Sequence, residues 1–340
     1  MTTRRYAALL LLLSVALGAA FVFSLGIGAV PLTPGKVFAA LAGRGDASAA
    51  RTDVIIVWDL RMARMLTAVL VGAGLAAAGA AFQGLFRNPL ADPFIVGASG
   101  GAALGATLAI TAGLTLSGAG FGPVPLAAFV GALAAVTLVY LVAEVGGQAP
   151  VVSLLLAGAA LSTVLSALVS LLMLLNDRDL IEVFVWLMGG FSGRSWPHLW
   201  ASAPYLLLGL VALWLLSRPL DALAFGEDTA RSLGLPLTRA RGLVVAAASL
   251  TTAAAVAAGG IIGFVGLIAP HAARLLFGSA HRRLIPASAL LGALLLLLAD
   301  DVARTALSPV ELPVGIVTAL IGGPFFLYLL KTRQDQLGGG

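Results

Sequence analysis

The segment SRPLDALAFGEDTARSLGLPL, residues 217–237, is a charged island in a chain that is otherwise almost continuously apolar. Its charged residues are Arg218, Asp221, Glu227, Asp228 and Arg231. Because an unpaired charged side chain costs several kcal/mol in hydrocarbon, the segment is predicted to lie outside the bilayer.

The punctuation of residues 217–237 predicts two short helices. Pro219 suits a first helical turn, and Gly226 ends that helix. The second helix begins at Glu227 and ends near Arg231, which is the order of charges that a helix dipole favours. A small amphipathic helix pair between two membrane spans is typical of a docking surface. The alternative interpretation is an ordinary solvated loop.

The composition excludes a soluble globular protein. The 340 residues are 60% hydrophobic and only 10% charged, and the mean hydropathy is +1.05. Apolar runs near twenty residues long, separated by short polar breaks, predict an all-α polytopic membrane protein. The chain has no cysteine, which excludes disulfides, thiolate metal sites and cysteine nucleophiles.

We predict about ten transmembrane helices in a single permease domain, residues 1–340. The spans lie at about residues 6–32, 65–86, 94–116, 124–145, 151–175, 200–216, 242–258, 260–277, 284–307 and 313–330. The first run is longer than a signal-peptide core, so it is interpreted as an uncleaved span with a cytoplasmic start. The even number of spans places both termini, and residues 217–237, in the cytoplasm. Only small residues, at about 257–260, separate the predicted seventh and eighth spans.

The external segment of about residues 33–64 carries more basic residues than the positive-inside rule favours. They are Lys36, Arg44, Arg51, Arg61 and Arg64. Two explanations stay open: an acidic protein partner that arrives from outside, or local pairing with Asp46, Asp53 and Asp59.

Two other segments near the predicted outer side have patterns that need an explanation. A run too short to span, about residues 180–190, predicts a short external helix. Asp300 and Asp301 lie near Arg304 at the outer end of the ninth span, and ionisable residues at this depth are candidates for function. The paired carboxylates could carry protons, or they could form a local salt bridge or an external docking contact with Arg304.

Other chemistry has no sequence signal. The three histidines are far apart, no pair has metal-ligand spacing, and the one Gly-Lys pair, Gly35-Lys36, does not belong to a phosphate-binding loop. No Ser/His/Asp arrangement occurs in a polar context. We therefore predict no catalytic residue, no cofactor and no metal site in this chain, and no nucleic-acid partner.

Several motifs together resemble the membrane permease subunits of bacterial ABC importers for ferric siderophores, haem and vitamin B12. They extend from about residue 55 to the end. One departure is Met62-Ala63, where the family commonly has Leu-Pro. The matching motifs are LRMAR at 60–64, Gln83, RNPLADP at 87–93, MGG at 188–190, LAFGE at 223–227, ARSLG at 230–234, GFVGL at 263–267, Pro270-His271, Ala299-Asp300 with Arg304, and ELPVG at 311–315.

The resemblance implies a type II ABC importer architecture in the bacterial cytoplasmic (inner) membrane. Two copies of the permease form a homodimer surrounded by membrane lipid, with two separate ATPase subunits and a periplasmic or lipid-anchored substrate-binding protein. Binding-protein docking is implied at Arg61, Arg64 and Arg304. Coupling to the ATPase is implied at Leu220, Leu223, Gly226, Glu227, Ala230, Arg231 and Gly234.

The resemblance also implies the function: import of an iron chelate, a ferric siderophore or haem, powered by a separate ATPase. The alternative within the family is vitamin B12 import. The alternative outside it is an ion-coupled secondary transporter that uses Asp300 and Asp301.

Overall fold

The computed structural model describes residues 2–43, 48–114, 122–144 and 150–338, and this part of the chain is helical with no strand. The α-helices are α1 Thr3–Gly26, α2 Pro34–Leu41, α3 Ser48–Val54, α4 Ala63–Leu85, α5 Ala98–Thr111, α6 Pro123–Ala143, α7 Val151–Leu175, α8 Leu180–Leu187, α9 Trp196–Leu215, α10 Ser217–Ala224, α11 Glu227–Ser232, α12 Leu237–Gly259, α13 Val265–Phe277, α14 His281–Thr305 and α15 Val314–Gly338. A π-helical segment, Ile55–Met62, joins α3 to α4, and a 3₁₀ turn, Asp177–Asp179, precedes α8.

The predicted all-helical polytopic fold is confirmed. In the described ranges, eight helical stretches are long and apolar enough to cross a membrane. Two shorter apolar helices, α5 and α13, occupy the positions of the predicted third and eighth spans. At 1.5 Å per residue these two helices measure about 20 Å, less than the roughly 30 Å of a hydrocarbon core. The count of ten therefore includes two helices that do not span alone.

Local backbone geometry explains why α5 and α13 begin late. The Asp92 carboxylate accepts a hydrogen bond from the backbone N–H of Phe94 at 2.9 Å, and Gly97 is left-handed with φ +87°. Before α13, Gly260 and Phe264 also have positive φ, at +72° and +68°. An unbroken helix cannot pass through such residues. The predicted spans 94–116 and 260–277 therefore each contain a non-helical entry.

The start of the second span differs from the prediction. Residues 33–64 were expected to form an external segment, but helix continues from α3 through Ile55–Met62 into α4. A π-helical segment is wider than an α-helix and redirects the side chains that follow it. Arg61 and Arg64 consequently lie on a continuous helix that packs into the protein.

Helix α4 is the centre of the bundle, and glycines let its neighbours approach closely. A Cβ at Gly72 would overlap the carbonyl oxygen of Gly292 in α14, and a Cβ at Gly79 would overlap Gly266 in α13. Most of α4 is buried in the chain. Small residues are the usual contact surface between membrane helices, because lipid supplies no hydrophobic drive for their association.

The helices define two ends of the bundle. At the inner end, where α10 and α11 lie, Tyr6 packs edge-on against Phe277 at 5.8 Å. At the opposite, outer end, the Ser24 hydroxyl donates to Asp301, so the end of α1 meets the end of α14. The start of α1 and residues 217–237 thus lie at the same end, as the predicted topology requires.

Replacing Gly72 by alanine should force α4 and α14 apart, since the new methyl group meets backbone. We expect Gly72→Ala to lower the stability of the purified protein by about 1–3 kcal/mol, as overpacked cores do. Thermal unfolding in detergent measures the effect. Gly18→Ala in α1, which has no atom within 4 Å of the new Cβ, is the matched control. Equal melting temperatures for both variants would contradict the close contact.

Candidate functional site

The predicted coupling segment forms the two helices α10 and α11 at the inner end. Leu220 and Leu223 of α10 and Ala230 of α11 are buried against the protein's own core. These three side chains were assigned to ATPase coupling from the resemblance. The structure places them where they hold the helix pair to the membrane bundle, with no surface left for a partner chain.

The exposed side of the helix pair carries two large apolar residues. Phe225 is 80% exposed and Leu233 is 69% exposed, and the exposed Arg231 lies between them in sequence. Exposed apolar groups rimmed by charges mark interaction surfaces. Sequence reasoning missed Phe225 and Leu233. The available signal was that both are apolar residues off the buried face of their helices.

Backbone turns and one ion pair fix the shape of this surface. Gly226 has φ +113° and Gly234 has φ +76°, conformations that favour glycine, so each permits a sharp turn at a helix end. The carboxylate of Glu227 pairs with Arg241, a buried arginine near the start of α12. Glu227 therefore ties α11 to α12, and Arg231 keeps its charge at the surface.

A second polar contact joins α10 to α14. One carboxylate oxygen of Asp221 accepts hydrogen bonds from the backbone N–H of His281 at 2.8 Å and from its Nδ1 at 2.7 Å. Burial would raise the pKa of Asp221, but the hydrogen bonds from His281 outweigh it and hold the pKa below its ordinary value. Asp221 is thus favoured as the charged form.

A cavity of about 710 Å³ opens beside this contact at the inner end, and charged side chains lie among its largely apolar lining. The Arg274 guanidinium of α13 donates to the side-chain oxygen of Gln83 in α4 at 2.9 Å across it. Its other charged or polar lining residues include Arg87, Asp221, His271 and His281. The motif residues Gln83 and Arg87, at the end of the second span, therefore come together with the distant His271 and with α10 around this cavity.

At the outer end, Arg64 is the centre of a buried charge cluster. Its Nε and Nη2 donate to both oxygens of Asp300, at 3.0 and 2.8 Å, and its Nη1 donates to Glu311 at 2.8 Å. Asp300 is completely buried. Such a bidentate pair is strong and geometrically specific.

Arg304 and Arg61 complete the cluster. Arg304 pairs with Asp301 and lies 3.3 Å from Asp300. Arg61 donates to the carbonyl oxygens of Leu25 and Val30, both at 2.6 Å. The outer charge cluster thus combines Arg61, Arg64 and Arg304 with Asp300, Asp301 and Glu311, and its formal charges balance.

Burial leaves little of the three arginines assigned to binding-protein docking accessible to a partner. Arg61, Arg64 and Arg304 are only 6%, 8% and 5% exposed. Pairing within the chain is therefore part of the explanation for these arginines. The partners of Arg64 and Arg304 are carboxylates of α14 and the loop before α15, and those of Arg61 are backbone carbonyls. Of the aspartates proposed as local partners, Asp53 pairs with Lys36 at 3.6 Å, and Asp46 lies outside the described residues.

Glu311 is the one member of the outer charge cluster with substantial exposure, since 37% of its side chain is accessible. It lies in the loop between α14 and α15. Burial would raise its pKa, but the hydrogen bond and positive charge of Arg64 lower the pKa below the ordinary value. Glu311 is therefore a charged partner of Arg64 that an incoming molecule can reach.

The same contacts weaken the hypothesis of proton coupling. Asp300 is held by Arg64 and Arg304, and Asp301 is held by Arg304 and Ser24. Both carboxylates are therefore already engaged by arginine side chains of the same chain. Within the described ranges, no group of three or more histidine, aspartate or glutamate side chains is placed to hold a metal ion.

A bundle of about ten apolar helices, with an amphipathic helix pair at one end, defines a polytopic helical membrane protein. The sequence profile of the FecCD transport family matches residues 13–332, and the chain belongs to this family. The predicted family resemblance is confirmed.

Individual relatives agree over most of the chain. The cobalamin import system permease protein BtuC of Halobacterium salinarum is 46% identical over 283 residues, 83% of this chain and 75% of that protein. The Fe(3+)-citrate import system permease protein YfmE of Bacillus subtilis is 39% identical over 95% of this chain and 94% of its own. A solved structure, the inward-facing conformation of a metal-chelate type ABC transporter, has a TM-score of 0.85 and 36% identity, and covers 96% of this chain and 99% of that one.

Proposed function

We propose that this chain is the permease subunit of a binding-protein-dependent ABC importer in the bacterial cytoplasmic membrane. It forms a homodimer, with two ATPase subunits at the inner end and a periplasmic or lipid-anchored substrate-binding protein at the outer end. The observation that carries the proposal is the inner surface of Phe225, Leu233 and Arg231, exposed on a permease of this family.

The inner surface suits transmission of movement. The buried Leu220 and Leu223 seat α10 on the bundle, and the Glu227–Arg241 pair ties α11 to α12. A force on the exposed side chains therefore moves α10 and α11 together and is passed on to the membrane helices that they contact. ATP-driven closure of the ATPase subunits would act at this point, and the pathway between the two permeases would open alternately to either side.

The ATPase contact is tested at Phe225. Aromatic residues at interface centres often carry 2 kcal/mol or more, so Phe225→Ala should weaken binding of the cognate ATPase subunit by about tenfold or more. Titration of the ATPase subunit onto detergent-solubilised permease measures this. Ile181→Ala on α8 is the matched control, because Ile181 is also 80% exposed but lies on the predicted external helix. Undiminished ATPase affinity in Phe225→Ala would refute the assignment of this surface.

The substrate class that the family supports is a bulky metal chelate. The sequence-based expectation was an iron chelate, with vitamin B12 as the alternative. A 46% identical relative named for cobalamin, against a 39% identical relative named for ferric citrate, favours a corrinoid as the first substrate to test. A ferric chelate is the second candidate.

Uptake into proteoliposomes tests both substrate and energy source. With permease, ATPase subunit and binding protein together, we expect ATP-dependent accumulation of cyanocobalamin or, failing that, of ferric citrate. Because Asp300 and Asp301 are held by arginines, ionophores should leave uptake unchanged. Uptake that persists without the ATPase subunit and collapses with an ionophore would replace this proposal by an ion-coupled transporter.

The outer docking proposal for Arg61, Arg64 and Arg304 becomes more specific in this geometry. An acidic group of the binding protein can reach Arg64 from outside where Glu311 now contacts it, since Asp300 occupies the other side of the guanidinium. Docking would then exchange one carboxylate for another. Opposite charges would mainly raise the rate of encounter.

Glu311→Gln tests this exchange, because it removes the competing charge and leaves the cluster with a net positive charge. We expect the association rate of the binding protein to rise about threefold or more at low salt and the difference to shrink at high salt. Surface plasmon resonance on nanodiscs measures both. Glu182→Gln on α8 makes the same charge change on an exposed residue away from Arg64. An equal response in the two variants, or none, would contradict exchange at Arg64.

A further inference from the structure

The contact between Asp221 and His281 is built like a helix cap supplied from another helix. The first backbone N–H groups of a helix have no partner within it. The residue before α14 is Ala280, which offers no side-chain acceptor. Asp221, sixty positions earlier in the sequence, accepts from the N–H of His281 instead. A carboxylate at this position also complements the positive end of the helix dipole.

His281 extends this joint to a third helix. A carboxylate can only accept, so Nδ1 of His281 must carry the proton that it shares with Asp221. The other nitrogen, Nε2, is buried with no hydrogen-bond partner among the residues that the structure describes, and it lies against Gly84 near the end of α4. A side chain at Gly84 would overlap the imidazole ring. Helices α10, α14 and α4 therefore meet at one buried side chain.

Helices α4 and α14 stay in contact from this joint to the outer end. At the middle, Gly72 lies against Gly292 with no room for a side chain. At the outer end, Arg64 holds Asp300 through two hydrogen bonds. The nineteen steps along the chain from His281 to Asp300 correspond to about 29 Å of α-helix. The pair is thus fixed at three levels across the depth of a membrane.

We propose that α4 and α14 form a rigid transmission pair and that Asp221 is the positioning residue that fixes α10 to it, so that displacement of α10 reaches the outer charge cluster. This inference rests on the proposed function, since it assumes an ATPase at the inner end and a binding protein at the outer end. It adds the route between them and the residue that begins it.

The contact between Asp221 and His281 differs from the other contacts of α10 because hydrogen bonds are directional. The burial of Leu220 and Leu223 is apolar and non-directional, so those side chains hold α10 against the bundle but permit sliding. Two hydrogen bonds to one oxygen of Asp221 permit no sliding without loss of both. The same group therefore sets the position of α10 along the start of α14.

The test measures coupling between the two ends. If ATP bound to the assembled transporter changes the affinity of the binding protein, that ratio of dissociation constants is the coupling. In Asp221→Ala the ratio should fall to within about twofold of one, and the affinity measured without nucleotide should stay within about twofold of wild type. Asp221→Asn keeps an oxygen that accepts both N–H groups, so it should restore at least half of the wild-type ratio on a logarithmic scale. A role that depends on charge alone would not show this rescue.

Two further variants keep the result interpretable. His281→Leu keeps the backbone donor and most of the buried volume but loses Nδ1, so an intermediate ratio is expected if Asp221→Ala fails to assemble. Glu144→Ala, an exposed carboxylate after α6, should leave the ratio unchanged. A wild-type ratio in Asp221→Ala or His281→Leu, in transporters that bind both partners, would overturn the joint alone. Failure of the wild-type permease to bind either partner would instead refute the proposed function.

Discussion

Charge pairing at the outer end is the constraint on which the rest of the structure depends. Three guanidinium groups lie within the chain beside helices that cross the membrane, and each is compensated by a carboxylate or by backbone carbonyls. An unpaired member would be prohibitively costly at this depth. The ends of α1, α4 and α14 and the loop before α15 must therefore meet in one arrangement. Buried ion pairs seldom add net stability, so their contribution here is to fix the register of these helices.

Close contacts at glycines hold α4 against its neighbours away from the outer ion pairs. Lipid does not drive apolar helices together, so close packing has to supply the association. Gly72 against Gly292 and Gly79 against Gly266 bring α14 and α13 to backbone contact with α4. A helix pair held by both an ion pair and backbone contact has few ways to slide. This explains why α4 is the most enclosed of the long helices, whereas few residues of α1 and α7 are buried within the chain.

The sequence predicted what depends on local pattern. Apolar runs located the long helices, although the ends of α1 and α15 and the start of the second span differ from the prediction, and the charged residues 217–237 located α10 and α11. It did not predict the late starts of α5 and α13, which depend on left-handed residues such as Gly97 and Phe264. Nor could it show that Arg64 meets Asp300, because that contact requires knowing which helices are antiparallel neighbours. The burial of Leu220 and Leu223 had a detectable signal, since the two residues lie three positions apart on one helical face.

The two ends of the bundle have different surface chemistry, and this difference bears on the kinetics of the proposed importer. At the inner end, Phe225 and Leu233 expose apolar area beside Arg231, which suits a partner that stays bound. In the outer charge cluster, the charges are already balanced within the chain, and Glu311 is the member accessible for exchange. Exchange of one ion pair for another yields little net binding free energy, but it makes the rate of association strongly dependent on salt concentration. A permanent contact at one end and a transient one at the other is the order that an importer needs, because the ATPase must remain while the substrate carrier comes and goes.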